Sequence, residues 1–163
     1  MIVVIAGIKR SGSTAQYNMV RLILEKHFEH VHVTGKPTDI QGDCTIVKLH
    51  TFDQKLFRAS THIFTTDRNR QEVRRSLRDF DRGEVKTMKK MNEHLRKWKT
   101  RSLHFSYTTL TTDPRLCIQL IATKLKLKVD IDHILKEFEA IKPPTDKDYD
   151  ERTMLFSNHI TKK

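Results

Sequence analysis

Only two of the 163 residues are cysteine, Cys44 and Cys117, too few for a disulfide framework, and neither has a second metal ligand at short spacing. That composition fits a reducing, cytoplasmic setting. Five glycines and four prolines are too few for collagen-like, low-complexity or disordered architecture. Long hydrophobic runs are missing as well: none approaches the roughly 18–20 residues that cross a bilayer, so no membrane span is expected. The apolar stretch nearest the start, Ile2 to Ala6, has no basic flank before it and is too short for a signal-peptide core. No internal repeat is visible. A chain of this length, 37% hydrophobic and with a mean hydropathy of -0.58, reads as one globular domain over 1–163.

What the sequence has in excess is positive charge. Lys+Arg number 31 against 20 Asp+Glu, a net charge of +11. Such a surface attracts anions: nucleic acid, acidic membranes, small phosphorylated or sulfated ligands. Charge alone does not choose among them.

Ile2-Val3-Val4-Ile5-Ala6 is a continuous, mostly β-branched run ending at Gly7, the pattern of a strand covered on both faces in a parallel sheet. Apolar residues at Tyr17, Val20, Leu24 and Phe28 then predict an amphipathic helix from about Thr14 to Phe28. Val31 to Val33, Thr45 to Leu49, His62 to Thr65 and Leu103 to Tyr107 read as further strands. Helical spacing marks Gln54 to Ala59, Gln71 to Phe80 and a strongly basic stretch from Thr87 to Thr100 with Met88, Met91, Leu95 and Trp98 on one face. Leu116 to Leu127, started by Asp113-Pro114, and Ile131 to Ile141, stopped by Pro143-Pro144, complete the helices. Alternating strands and helices give an α/β three-layer sandwich with a central, mostly parallel sheet of about five strands, of the type found in phosphate-loop NTPases. Ligands in such folds sit at the carboxyl ends of the strands. That rule singles out Gly7 to Thr14, His50, Asp67-Arg68 and Tyr107-Thr108 before any motif is considered.

Gly7-Ile8-Lys9-Arg10-Ser11-Gly12-Ser13-Thr14 has the Gly-x-x-x-x-Gly frame of a phosphate loop between strand and helix. Glycine allows the turn, successive backbone N–H groups point inward, and the helix N-terminus adds positive potential. Lys9 and Arg10 bring two cations. The position that carries Lys in a nucleotide-hydrolysing loop is Ser13 here, which weakens any grip on the β- and γ-phosphates of a triphosphate. The plainer alternative is an ordinary strand–helix turn with a Ser/Thr cap; anion binding is favoured because strand, glycines, cations and helix fall in register.

Lys9-Arg10-Ser11-Gly12-Ser13-Thr14 resembles the 5'-phosphosulfate loop of the sulfotransferases, Lys/Arg-Ser-Gly-Thr/Ser-Thr after a first strand; Asn18 and Arg21 in the following helix also recur in that family. Arg68-Asn69-Arg70-Gln71-Glu72-Val73-Arg74-Arg75-Ser76 is similar to the family's 3'-phosphate motif, with Arg at a strand end and Ser eight residues on, about two helical turns later. An Arg forks onto a phosphate, and a helical Ser hydroxyl can donate to the same group. The competing reading is a solvated basic helix. Ile46-Val47-Lys48-Leu49-His50-Thr51-Phe52 resembles the family's Lys-x-His segment, in which the His is the general base. A His with an ordinary pKa of about 6.5 accepts a proton near neutrality, while a structural His50, and a Lys48 that is merely an edge charge, stay open alternatives. His104-Phe105-Ser106-Tyr107 with Asp113-Pro114 resembles a later strand-Tyr passage in which Thr108-Thr109 replace an acidic pair; Tyr107 then packs on or near adenine, or is a core residue. Phe156-Ser157-Asn158-His159-Ile160-Thr161 is similar to the late loop that closes over the nucleotide, without its glycine-rich extension, and Ala15 replaces an aromatic that stacks on adenine in many members.

The resemblance runs in collinear order through most of a chain shorter than typical members, whose additional segments build the acceptor pocket. It implies a sulfotransferase whose donor is 3'-phosphoadenosine-5'-phosphosulfate and whose product is adenosine 3',5'-bisphosphate, with no metal required. The implied donor residues are Lys9, Arg10, Ser11, Gly12, Ser13, Thr14, Arg68, Ser76 and Tyr107; the implied catalytic residues are His50, Lys48 and Arg10. The acceptor is a hydroxyl or amine of unspecified class, an acidic one included. Two other readings remain. A phosphate-loop kinase or NTPase would use Asp67 to organise magnesium. A nucleic-acid-binding module would use Lys86, Lys89, Lys90, Arg96, Lys97, Lys99 and Arg101 with Trp98 nearby; a solvated helix face over a Met/Leu/Trp core stripe is preferred for that segment.

Overall fold

The structure, a computed structural model, describes residues 1–80, 88–146 and 148–156. Strands β1 (Ile2–Gly7), β2 (Val31–Thr34), β3 (Cys44–Leu49), β4 (His62–Asp67) and β5 (Leu103–Ser106) form one parallel sheet in the order β2-β3-β1-β4-β5. The β1 run is central because it is apolar on both faces: Val3, Val4 and Ile5 are all fully buried, each contributing about 1.5–3 kcal/mol through burial. Val4 pairs with Val47 on one side and Ile63 on the other.

Helices cover both faces. On one lie α1 (Ser13–Leu24), α6 (Pro114–Leu125) and α7 (Ile131–Glu139), packed with Val3, Ile5, Ile46, Phe64 and Phe105. On the other, α2 (Gln54–Ala59) and α4 (Met88–Lys99) supply Leu56 and Trp98 against Val4, Ala6, Val47, Leu49 and Ile63. A satellite cluster joins Ile8 to Val73 of α3 (Arg70–Phe80) and to Met91 and Leu95 of α4. This is the three-layer α/β architecture expected from the sequence. No helix among the described residues is long and apolar enough to cross a membrane.

Several boundaries differ from the sequence reading. Tyr107 opens a short helix, α5 (Tyr107–Thr112), instead of ending β5, because the Ser106 hydroxyl accepts the Thr109 N–H at 3.0 Å and caps a new turn. The first helix ends at Leu24; Phe28 comes after it in tight turns, its N–H bonded to the Leu24 carbonyl, and still packs on the core. The last ends at Glu139, with Ile141 N–H closing a tight turn on Phe138 before the prolines. The expected start of the basic helix at Thr87 lies outside the described residues. A small hairpin, β6 (Tyr149–Asp150) and β7 (Leu155–Phe156), was not legible in the polar tail.

Trp98 locks α4 to the sheet. It is 1% exposed, lies 5.0 Å from the Phe52 ring and 5.7 Å from Phe57, and donates its indole N–H to the Thr51 carbonyl at 3.1 Å. Trp98→Ala removes this ring and orphans that carbonyl; a loss of about 3–5 kcal/mol of unfolding free energy is expected, measured as a lower denaturant midpoint.

Candidate functional site

In a wholly parallel sheet every carboxyl end falls on one edge, and strand order reverses where β1 lies between β3 and β4. The crevice at such a switch point is where this architecture binds ligands. The loop after β1, His50 after β3, Arg68 after β4 and Tyr107 after β5 all stand along that edge.

The first loop is shaped by a steric constraint. A Cβ added at Gly7 would lie 2.5 Å from Thr66 Oγ1 and 2.9 Å from Ser11 Oγ, so only glycine fits. Ser11, fully buried, donates its hydroxyl to the Ile8 carbonyl at 2.7 Å and stands 2.8 Å from Thr66 Oγ1. It braces the loop from inside, and its hydroxyl is turned into the protein. Arg10 (φ 65°) and Gly12 (φ 88°) are both left-handed, a conformation that costs a residue with a side chain about 1–2 kcal/mol. Gly12 is the N-cap of α1 and supplies no side-chain hydrogen bond, whereas α2, α5, α6 and α7 are capped by Asp53, Ser106, Asp113 and Asp130. The first-turn amides of α1, from Ser13 onward, therefore meet the loop without a capping side chain in the way.

Three cations stand at or near this loop: Arg10 within it, Lys48 from β3 and Arg68 after β4. Arg10 donates from Nε to Ser76 Oγ of α3 at 2.9 Å, so the two motifs read separately in the sequence are in direct contact. Lys48 of β3 donates from Nζ to Thr14 Oγ1 at 2.7 Å, and burial pushes its pKa down to about 8. Arg68 lays its guanidinium over the Tyr107 ring, 3.9 Å from the centroid, and donates from Nε to Glu72 Oε2 at 2.8 Å. Tyr107 in turn abuts the loop: a Cβ at Gly12 would lie 3.0 Å from Tyr107 Cδ2. His50 Nδ1 is 2.6 Å from the Gly7 carbonyl. A carbonyl only accepts, so this contact places a proton on Nδ1, which in a neutral ring puts the lone pair on Nε2. Lys9 is partly buried at the start of the same loop.

Thus every predicted site residue lies at one sheet edge: Lys9 to Thr14, Lys48, His50, Arg68, Ser76 and Tyr107. Sequence reasoning did not find Thr66 beneath Gly7 or the Arg68–Tyr107 stack; neither has a local signal, because both contacts join residues far apart in the chain. Asn18 and Arg21 are buried and point elsewhere. Asn18 bridges the Thr14 and Thr153 carbonyls, and Arg21 binds Asn18 and Glu25. Asp67 is engaged by Lys99 Nζ at 2.6 Å and His104 Nε2 at 3.1 Å. In the basic segment, Lys89, Lys90, Arg96 and Lys97 are exposed, while Met91, Leu95 and Trp98 are buried beneath them. Lys86 lies outside the described residues, as do Ser157 to Thr161 of the late loop.

This arrangement of parallel sheet, switch-point loop and flanking helices is the sulfotransferase fold. Solved structures that share it include retinol dehydratase in complex with androsterone and the inactive cofactor PAP, at a TM-score of 0.62 and 15% identity over 85% of this chain and 63% of that one. Retinol dehydratase in a complex with retinol and PAP matches at 0.64 and 15% identity over 86% and 64% of the two chains. A mouse sulfotransferase, SULT7A1 complexed with PAP, matches at 0.62 and 12% identity over 85% and 62%. The chain thus spans less than two thirds of the length of each. No protein-family model and no curated protein matches the sequence.

The lowered pKa of Lys48 has a defined consequence for stability. The folded protein releases this proton near pH 8, whereas the unfolded chain holds it to about 10.5. Between those values the unfolded state binds more protons, so the Lys48 contribution makes stability rise with pH; below 8 the cost of burying the charge is fully present. Denaturant midpoints of wild type and Lys48→Met, compared from pH 7 to 10, are expected to differ most at the acid end and converge as pH rises.

Proposed function

We propose that this chain transfers a sulfuryl group from 3'-phosphoadenosine-5'-phosphosulfate to a hydroxyl or amine acceptor. The observation that carries this reading is the convergence of two phosphate motifs: Arg10 of the first loop bonds Ser76, and Arg68, eight residues before Ser76, stacks on the Tyr107 ring that abuts Gly12. A nucleotide with phosphate at both its 5' and 3' positions fits such a cradle. The glycine N-cap of α1 makes no side-chain hydrogen bond, so the first-turn amides are offered to a phosphate. The donor, when bound, supplies an activated sulfuryl group on a phosphate leaving group.

Each group of the chain then has a distinct role. Amides of Gly12, Ser13 and Thr14, with Arg10 and Lys9, hold the 5' side; Ser11 keeps that loop in shape. Arg68 and Ser76 hold the 3'-phosphate. The His50 Nε2 lone pair takes the acceptor's proton as the acceptor oxygen or nitrogen bonds sulfur and the bridging S–O bond breaks. Lys48, Arg10 and Lys9 offset the charge that builds on the departing phosphate oxygen. α3 and α4 also carry exposed cations, Arg74, Arg75, Lys89, Lys90, Arg96 and Lys97, and a surface so charged favours an anionic acceptor.

The kinase reading is weaker on two counts. Ser13 stands where Lys is needed, and the Asp67 carboxylate is already held by Lys99 and His104. The nucleic-acid reading loses its aromatic platform, because Trp98 is core.

Calorimetry decides the donor: adenosine 3',5'-bisphosphate is expected to bind more tightly than ATP, and magnesium-dependent preference for ATP would favour the kinase. Arg68→Ala is expected to weaken adenosine 3',5'-bisphosphate by about tenfold or more while leaving adenosine 5'-phosphate nearly unchanged; equal losses would remove Arg68 from the 3' site. His50→Ala is expected to slow donor turnover by about 10²–10⁴-fold with donor affinity kept, read as nucleotide product released over a panel of alcohols, phenols, sugars and peptides. An unaffected rate would remove His50 as the base.

A further inference from the structure

The Arg68 guanidinium is held in two directions. Its Cζ lies over the Tyr107 ring, 3.9 Å from the centroid, and its Nε is bonded to Glu72 Oε2 at 2.8 Å. Guanidinium is rigid and planar, so two contacts on different elements restrain its orientation, with the outer pair of nitrogens as the fork it can turn to a ligand. Tyr107 is itself set from below, packed closely on Gly12: a Cβ there would lie 3.0 Å from Tyr107 Cδ2 and 3.2 Å from Leu110 Cδ1. The α5 turn that carries Tyr107 is started by the Ser106 cap. One aromatic ring therefore separates the loop after β1 from the arginine after β4.

We propose that Tyr107 is a positioning residue that sets nucleotide selectivity through Arg68: it aims the guanidinium at a 3'-phosphate instead of serving as a stacking face for adenine. This rests on the donor assignment above. An adenine contact would help every adenine nucleotide equally, whereas a shelf under Arg68 helps only those with a phosphate that Arg68 reaches. The energy scale is that of a partly desolvated cation–π contact together with the fork it orients, enough to move affinity by about tenfold.

The test is titration of adenosine 3',5'-bisphosphate and adenosine 5'-phosphate into wild type, Tyr107→Phe, Tyr107→Leu, Arg68→Ala and the Arg68→Ala/Tyr107→Leu double variant. Tyr107→Phe keeps the ring and should keep the ratio of the two affinities. Tyr107→Leu should lower the ratio about tenfold, with adenosine 5'-phosphate nearly unaffected, and should add nothing to the selectivity already lost in Arg68→Ala. Equal weakening of both nucleotides by Tyr107→Leu would overturn the proposal in favour of an adenine contact, and a further loss of selectivity in the Arg68→Ala background would overturn it as well. Tyr107→Met is read by the same criteria should the Leu variant not fold. A wild type that does not distinguish the two nucleotides overturns the donor assignment itself, an outcome separate from a selective wild type whose selectivity survives Tyr107→Leu.

Discussion

The close approach of Gly7 to Thr66 governs the rest of the site. Parallel pairing brings β1 and β4 side by side, and Gly7 pairs with Thr66 at the last rung. Because no side chain intervenes, the chain leaving β1 folds down onto the end of β4, where Ser11 meets both Ile8 and Thr66. The loop is thereby pressed toward the exit of β4. Arg68 stands at that exit, and Tyr107 fills the remaining gap to Gly12. A larger residue at position 7 would lift the loop and separate it from Arg68 and Ser76.

Hydroxyl partners at this edge orient cations without adding negative charge. Arg10 donates to the hydroxyl of Ser76 and Lys48 to that of Thr14, contacts that fix direction. Arg68 does meet a carboxylate, but Glu72 is 52% exposed, and a solvent-facing pair of this kind is worth at most about 1 kcal/mol, so it aims the arginine more than it satisfies it. Lys99 is the contrast: at 2.6 Å from Asp67, which His104 also approaches, its charge is balanced within the protein. The hydroxyl contacts aim cations at the loop after β1, and the Asp67 pair balances Lys99 one step away from it.

The polar interior of α1 has a different task. Tyr17 donates its hydroxyl to the Arg152 carbonyl at 2.6 Å, Asn18 donates to Thr153 at 2.8 Å, and Arg152 reaches Glu25 at 3.1 Å. These contacts strap the β6–β7 hairpin across the helix that begins at the loop after β1. Buried polar groups need partners, and the hairpin supplies them to a helix whose other face packs Met19, Val20 and Ile23 into the core beside the buried Gln16. Asn18 and Arg21, which also recur in sulfotransferase sequences, belong to this strap.

The sequence alone determined the sheet strands and most of the helices, because the β-branched run at Ile2 to Ala6, the helical spacing of Met91, Leu95 and Trp98 and the Asp113-Pro114 cap are local patterns with local physical causes. It also determined which residues would stand at the ligand edge, since a parallel sheet sends every strand's exit the same way. The short α5 helix and the tail hairpin stayed hidden: one depends on a single hydroxyl cap at Ser106, the other on carbonyls offered to α1 from more than a hundred residues away. Only the tertiary structure decided which cation meets which partner. Arg10 on Ser76, Lys48 on Thr14 and Arg68 on Tyr107 each join residues distant in the chain, and such pairings arise from strand order and close approach, which no local pattern encodes.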